Sequence, residues 1–286
     1  MTPDTMRSDD DARRRPRIAV LGEFSSGKST LVNVLLGHVT SPVRVTATQM
    51  PPIWYCEGDA DPIVVGVDGS RTEIDPDEIA SVPVAGTEYI RVPLPAEILR
   101  RFDLLDMPGS SDPNMSADIW NTLLPQADAV IWCTPATQAW RQTEAAIWDG
   151  VDPDVRARSI LLVTRIDKVL SERDRERLMK RVRRETGGLF RDVLAVDLLS
   201  AKDEDYTAEA SGMRAVRAAL LEASAAAQGD AAGDAAPSEN AGEAATVLRL
   251  EDHAPTGLRP KSSIIPRRIT AGRRPRRTTG SGGSAL

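Results

Sequence analysis

Eight consecutive residues, Gly22-Glu23-Phe24-Ser25-Ser26-Gly27-Lys28-Ser29, satisfy the pattern G-x-x-x-x-G-K-[ST] at every fixed position. The pattern carries weight only between a strand and a helix, and both flanks are present. Arg17-Ile18-Ala19-Val20-Leu21 is short, apolar and partly β-branched, which predicts a buried strand. From Ser29 to Leu36 the chain has helical length, and it stops at Gly37, a good C-cap. Glycines at 22 and 27 let the backbone turn its N–H groups inward toward phosphate oxygens. The helix N-terminus adds the positive end of its dipole. In such a loop Lys28 reaches the β- and γ-phosphates, and the Ser29 hydroxyl serves as a ligand to Mg²⁺. Glu23, Phe24, Ser25, Ser26 and Thr30 complete the phosphate-lining set.

The rest of the chain limits what can surround this loop. Its 286 residues are 41% apolar and 27% charged, as expected of one or two soluble domains. A net charge of −6 gives no global attraction to nucleic acid or anionic lipid. The two cysteines, Cys56 and Cys133, sit in apolar strand-like runs and read as reduced core residues of a cytoplasmic protein. Two histidines, His38 and His253, supply neither a His-rich metal site nor a Ser-His-Asp triad. No apolar run approaches the length of a membrane span, and the charged N-terminus lacks a signal-peptide core.

Apolar strand-like runs alternate with helical patterns for about 210 residues. This predicts an α/β fold: a three-layer P-loop arrangement around a mostly parallel sheet, with disordered tails at both ends. Residues 1–16 form the N-terminal arm, 17–227 the nucleotide domain, and 228–286 an Ala/Gly-rich and then basic tail. Within the domain, 53–56 and 63–67 read as the strands of a hairpin and 75–81 as a short helix. Glu88–Pro93 is an extended piece, and 101–105, 129–133, 159–163 and 193–196 are further strands. Helices are expected at 117–124, 137–150, 171–186 and 208–227, with Trp140 an ordinary helix residue. From Arg259 to Arg277 the tail holds eight Lys or Arg and no acid. Its arginine pairs suit anionic lipid, RNA or another acidic partner, though without interleaved aromatics base stacking has no support.

Four further stretches follow the phosphate loop in the order that guanine-nucleotide chemistry requires. Val45-Thr46-Ala47-Thr48 supplies a threonine that can close over a γ-phosphate and offer its hydroxyl to Mg²⁺; both Thr46 and Thr48 qualify, with Thr46 favoured. Asp106-x-x-Gly109 ends a strand, placing a carboxylate near Mg²⁺ and the Gly109 N–H near the γ-phosphate. Thr164-Arg165-Ile166-Asp167 ends another; an acceptor carboxylate at Asp167 bonds the paired donors that guanine has and adenine lacks. Ser200-Ala201-Lys202 follows the last strand, where a backbone N–H can bond the guanine O6. Each match is weak alone. Their order, each at the carboxyl end of a strand, is the argument. The alternatives are a scaffold recruited to membrane or RNA by its basic tail, with nucleotide turnover secondary, and an ATPase in which Asp167 only caps a helix.

On these residues the chain resembles the bacterial dynamin-like GTPases. The resemblance runs from Gly22 through Asn33 to Leu36-Gly37, with Pro42 and Val45-Thr46 similar to that family's switch I and Asp106-Met107-Pro108-Gly109 similar to its Asp-Leu-Pro-Gly. It covers roughly residues 17–205, and the motifs beyond the phosphate loop are shared with Era-like GTPases. It implies GTP binding and Mg²⁺-dependent hydrolysis to GDP, with Lys28, Ser25 and Thr46 in catalytic roles. Ser25 would bridge phosphates or place a monovalent cation (K⁺ or Na⁺), and Thr46 would position the attacking water. Metal-side residues would be Ser29, Thr46 and Asp106. A nucleotide-dependent homodimer, a conformational switch and a cytoplasmic or peripheral-membrane setting are further implications. Arg165 stands where the family usually has Lys, and its aliphatic stem can still stack on a base. Ser110 and Ser111, not Gln, follow Gly109, so glutamine-assisted hydrolysis is unavailable there. The family's long helical stalk has no counterpart after residue 227 in this reading.

Overall fold

A computed structural model describes residues 14–37, 50–109, 122–203 and 211–233. The chain divides into two compact units at Pro237, and the second, Ser238–Leu286, lies wholly outside the described residues. The tail, the arm up to residue 13, and the segments holding Thr46, Thr48, Ser110 and Ser111 likewise lie outside them.

Period-two alternation on the strands builds the frame. On β1 (Arg17–Gly22), Ile18 and Val20 face one core layer while Ala19 and Leu21 face the other. On β7 (Ala129–Pro135) Ile131 and Cys133 oppose Val130 and Trp132; on β8 (Ile160–Thr164) Ile160 and Leu162 oppose Leu161 and Val163. Apolar on both faces, these strands need a layer on each side. The first layer is α1 (Lys28–Leu36) and the last helix, α6 (Met213–Gly233). The second is α2 (Gln142–Trp148), α3 (Pro153–Arg158) and α4 (Glu172–Glu185), contributing Trp148, Val155, Met179 and Val182. This is the three-layer α/β P-loop fold with a mostly parallel sheet.

Between β1 and β7 in sequence lie β2 (Ile53–Glu57), β3 (Ile63–Gly66), β4 (Arg71–Glu73), β5 (Thr87–Leu94) and β6 (Asp103–Asp106); β9 (Asp192–Ala195) comes last. Among the described residues nine strands run in the order β4-β3-β5-β2-β6-β1-β7-β8-β9. β6, β1, β7, β8 and β9 pair in parallel, whereas β2 runs antiparallel to β6, with Ile53 opposite Asp106.

Several expectations are corrected. The strands at 53–56 and 63–67 do not form a hairpin, because β5 lies between them, parallel to β2 and antiparallel to β3. Four of the five β2 residues are buried, so this strand takes a neighbour on each side, while half-exposed β3 is displaced toward the edge. The helix expected over 137–150 is interrupted: a 3₁₀ turn covers Ala136–Gln138 and α2 begins only at Gln142. Trp140 lies in the break with φ +58°, its ring held edge-on by Trp132 and Phe190. Those ring contacts belong to an aromatic cluster that offsets the cost of the left-handed backbone. At the other end, α6 runs to Gly233, beyond the polar composition shift at Gln228. The segment 75–81 forms a 3₁₀ helix, Pro76–Ser81, capped by Asp75. Of the 117–124 helix, most lies outside the described residues. Both cysteines are unpaired and buried. Among the described residues no helix is long and apolar enough to cross a membrane.

Candidate functional site

The loop between β1 and α1 is fixed by close backbone approach. A Cβ on Gly22, at φ +140°, would stand 2.2 Å from the Cys133 carbonyl oxygen and 2.7 Å from Ser26 Oγ. Gly27, at φ +96°, abuts Leu198 and Thr164, and Ser25 takes φ +59° between them. Two positive-φ positions flanking Ser26 curl the backbone into a cup, the geometry that directs successive N–H groups at an anion. Lys28 is 7% exposed, and its Nζ donates to the Gly22 and Glu23 carbonyls at 2.9 and 2.8 Å. The ammonium thus lies across the mouth of the cup on the chain's own acceptors. Ser29 and Thr30 sit half-buried in the first turn of α1. Ser26 is fully buried, and its hydroxyl has no partner among the described residues.

Two further predicted stretches meet this loop. β6 ends at Asp106, and the Gly109 backbone lies against the Glu23–Phe24 peptide: a Cβ there would be 3.0 Å from Phe24 N and 3.2 Å from Phe24 Cα. A side chain there would need the Phe24 backbone to give by a few tenths of an ångström. Burial pushes the Asp106 carboxyl up to about 6, with the Lys28 charge opposing it. From β8, Thr164 Oγ1 donates to the Ser26 carbonyl at 2.6 Å, and Arg165, at φ +55°, donates Nη2 to the Ser25 carbonyl at 2.7 Å. Asp167 follows on a 3₁₀ turn, its Oδ2 3.1 Å from Lys168 Nζ. The 164–167 stretch is therefore tied directly to the phosphate loop.

The fourth described stretch, Ser200-Ala201-Lys202, lies in a short helix, α5 (Ser200–Asp203). Asp197 nucleates it, accepting from the Leu199 and Ser200 amides at 3.0 and 3.2 Å through Oδ1, while its carbonyl takes the Ala201 amide at 3.2 Å. Burial raises the Asp197 carboxyl, but the Ser200 hydroxyl and amide outweigh it, so it sits below the usual range. The Ser200 and Ala201 amides are thus already bonded within the chain.

Sequence reasoning missed the residues that brace the loop from its other side. Both Glu23 carboxylate oxygens are held, Oε2 by Arg141 Nη1 at 3.0 Å and Oε1 by Thr143 Oγ1 at 2.9 Å. Beneath them Glu144, 1% exposed, accepts from Trp132 Nε1, Thr134 Oγ1 and Arg141 N. The only sequence signal was a Thr and a Glu in the first turn of a helix, a pattern common at N-termini. Cys133 also borders the loop, but burial pushes its thiol up to about 12, which leaves it protonated and no nucleophile.

No protein-family model matches the chain. Dynamin-like protein 2 of Campylobacter jejuni subsp. jejuni is 26% identical over 203 residues, covering 65% of this chain and 32% of that protein. A solved bacterial dynamin pair, described as oligomerised and as sensing and tethering membranes at long range, superposes with TM-score 0.58 over 78% of this chain and 36% of its own, at 20% identity. This chain is similar to bacterial dynamin-like proteins. A second structure of the same dynamin pair gives TM-score 0.55 at 20% identity, over 77% of this chain and 36% of its own. Era from Aquifex aeolicus, solved with GDP·AlF₄⁻, superposes more loosely, with TM-score 0.44 over 73% of this chain and 57% of that one. The chain spans about a third of the length of the dynamin-like proteins it matches.

Proposed function

We propose that residues 17–227 form a dynamin-like GTPase domain that binds GTP with Mg²⁺, hydrolyses it to GDP, and changes conformation with the state of the γ-phosphate. The supporting observation is the direct bonding of the 164–167 stretch to the phosphate loop, through Thr164 to Ser26 and Arg165 to Ser25. It ties the strand end that precedes Asp167 to the loop that would hold the phosphates.

In this reading the amides of residues 23–29 and the Lys28 ammonium bind phosphate oxygens, and Arg165 orients the base pocket while its stem lies along the purine. Asp167 selects guanine over adenine by accepting from two donors that adenine does not have. The donor set suits a hard divalent cation: Ser29 Oγ and the half-buried Asp106 carboxylate both offer oxygen. A cation held there would offset the burial that raises the Asp106 carboxyl and favour its ionised form. Bound there, Mg²⁺ would neutralise charge on the phosphate oxygens. Thr46 would orient the attacking water, and Ser25 would place a K⁺ or Na⁺ ion or bridge phosphates. The Gly109 amide would report γ-phosphate to the segment that follows it. A nucleotide-dependent homodimer, a cytoplasmic site of action and recruitment to anionic membrane by the basic tail belong to the same proposal, on the resemblance and on the tail's composition.

The test is calorimetric titration with GTP, GDP and ATP in Mg²⁺. Guanine nucleotides should bind at least about tenfold more tightly than ATP, since losing two hydrogen bonds to a fixed carboxylate costs at least that much. Lys28→Ala should abolish binding. ATP binding as tight as GTP would remove the guanine reading, and micromolar binding by the Lys28 variant would remove the phosphate-loop reading.

A further inference from the structure

A carboxylate inside a phosphate-binding loop has the wrong sign. Glu23 is the first variable residue of the cup, and its carbonyl already serves the Lys28 ammonium and the Ser26 amide. The side chain could swing toward the phosphates or the ammonium, but both its oxygens are bonded away from the cup. Arg141 Nη1 and Thr143 Oγ1, at 3.0 and 2.9 Å, come from the start of α2. The Glu23 side chain is 20% exposed and that of Arg141 42% exposed, so the pair lies at the rim.

The brace itself is built. Glu144 fixes the Arg141 backbone by accepting its amide at 2.8 Å. The same carboxylate accepts from Thr134 Oγ1 at 3.1 Å and Trp132 Nε1 at 2.8 Å, tying it to β7. Thr134 Oγ1 in turn accepts from Trp140 N at 3.1 Å, which fixes the left-handed turn that aims Arg141. On the opposite side of Glu23, the Gly109 backbone rests against the Glu23–Phe24 peptide. Moving Glu23 therefore moves the peptide that the γ-phosphate-sensing stretch touches.

We infer that Arg141, seconded by Thr143, is a positioning residue for triphosphate binding, which neutralises Glu23 and holds its carboxylate out of the phosphate cup. This rests on the phosphate-loop reading above. Arg141 touches no phosphate in this scheme; it acts only by keeping a like charge away. Losing it leaves a carboxylate held by Thr143 alone, with its charge uncompensated, within reach of the bound phosphates, where like-charge repulsion in a partly desolvated site opposes binding.

The experiment titrates fluorescent GTP and, separately, inorganic tripolyphosphate, each with Mg²⁺, into the full chain and its variants at low and high salt. Arg141→Ala should weaken both ligands about tenfold, and less at high salt, where screening shortens the reach of the freed charge. Arg141→Ala with Glu23→Gln should recover most of that loss, because the offending charge is gone; a merely structural role for Arg141 would not be rescued. Arg141→Lys should fall between. Unchanged affinity in Arg141→Ala, or a loss that Glu23→Gln does not restore, overturns the inference. Tripolyphosphate separates the two readings: if GTP shows no base preference but tripolyphosphate still binds, the loss and rescue remain measurable. If wild-type protein binds neither ligand, the phosphate-loop reading and this inference fall together.

Discussion

Glu144 offers the sharpest test of how the site is held. It is 1% exposed and accepts three hydrogen bonds, from Trp132 Nε1 at 2.8 Å, Thr134 Oγ1 at 3.1 Å and Arg141 N at 2.8 Å. Glu144→Ala strands the Trp132 and Thr134 donors in the core, at roughly 1–3 kcal/mol each, and removes an N-terminal helix contact worth about 1 kcal/mol. Thr134 can turn its hydroxyl, and ionising a buried carboxylate has its own cost, so a net loss of about 3–4 kcal/mol is expected at pH 7. Glu144→Gln keeps the shape but turns an amide N–H toward one or two donors, for about 1–2 kcal/mol.

The pH dependence gives the sign. Burial raises the Glu144 carboxyl above its ordinary range by more than its Trp132, Arg141 and Thr134 donors lower it. The folded state then keeps a proton that the unfolded chain has released. Its contribution to stability is full below the unfolded value, near pH 4.3, and is lost as pH rises through the folded value. Gln has no such titration. The stability gap between wild type and Glu144→Gln should therefore be widest near about pH 4.5 and narrow toward about pH 8. Urea unfolding followed by tryptophan fluorescence at several pH values measures both effects. A loss below about 1 kcal/mol for Glu144→Ala, or a gap that widens with pH, would refute the account.

Three other substitutions probe the frame. Gly22→Ala places a methyl 2.2 Å from the Cys133 carbonyl in a conformation side chains avoid, so soluble folded protein should be lost; a thermal midpoint within a few degrees of wild type would contradict this. Thr164→Val preserves shape but leaves the Ser26 carbonyl without its 2.6 Å donor, for about 1–2 kcal/mol by denaturation and weaker nucleotide binding; an unchanged midpoint would deny the link between β8 and the loop. Trp148→Ala empties a fully buried site where the ring stacks on Phe190 at 4.3 Å, for about 3–5 kcal/mol, and a loss under about 1 kcal/mol would mean the aromatic cluster is not packed as described.

The sequence by itself determined the local chemistry. Gly22 is a glycine because a Cβ there would strike the Cys133 carbonyl, and Gly27 because its φ of +96° strains any side chain; such positions are legible wherever a fixed pattern spaces them. Alternation on β1, β7 and β8 announced a sheet covered on both faces, since two-sided burial leaves apolar residues at every step. Tertiary structure alone decided which strands became neighbours. β2 and β3 adjoin in sequence, yet β5 separates them, because pairing is settled by which faces must be buried and not by chain proximity. It likewise decided that Trp140 breaks a helix, since ring contacts with Trp132 and Phe190 outweigh helical propensity. The brace on Glu23 was illegible for the same reason: Arg141, Thr143 and Glu144 lie about 120 residues away along the chain, and only the parallel pairing of β1 with β7 brings them to the loop.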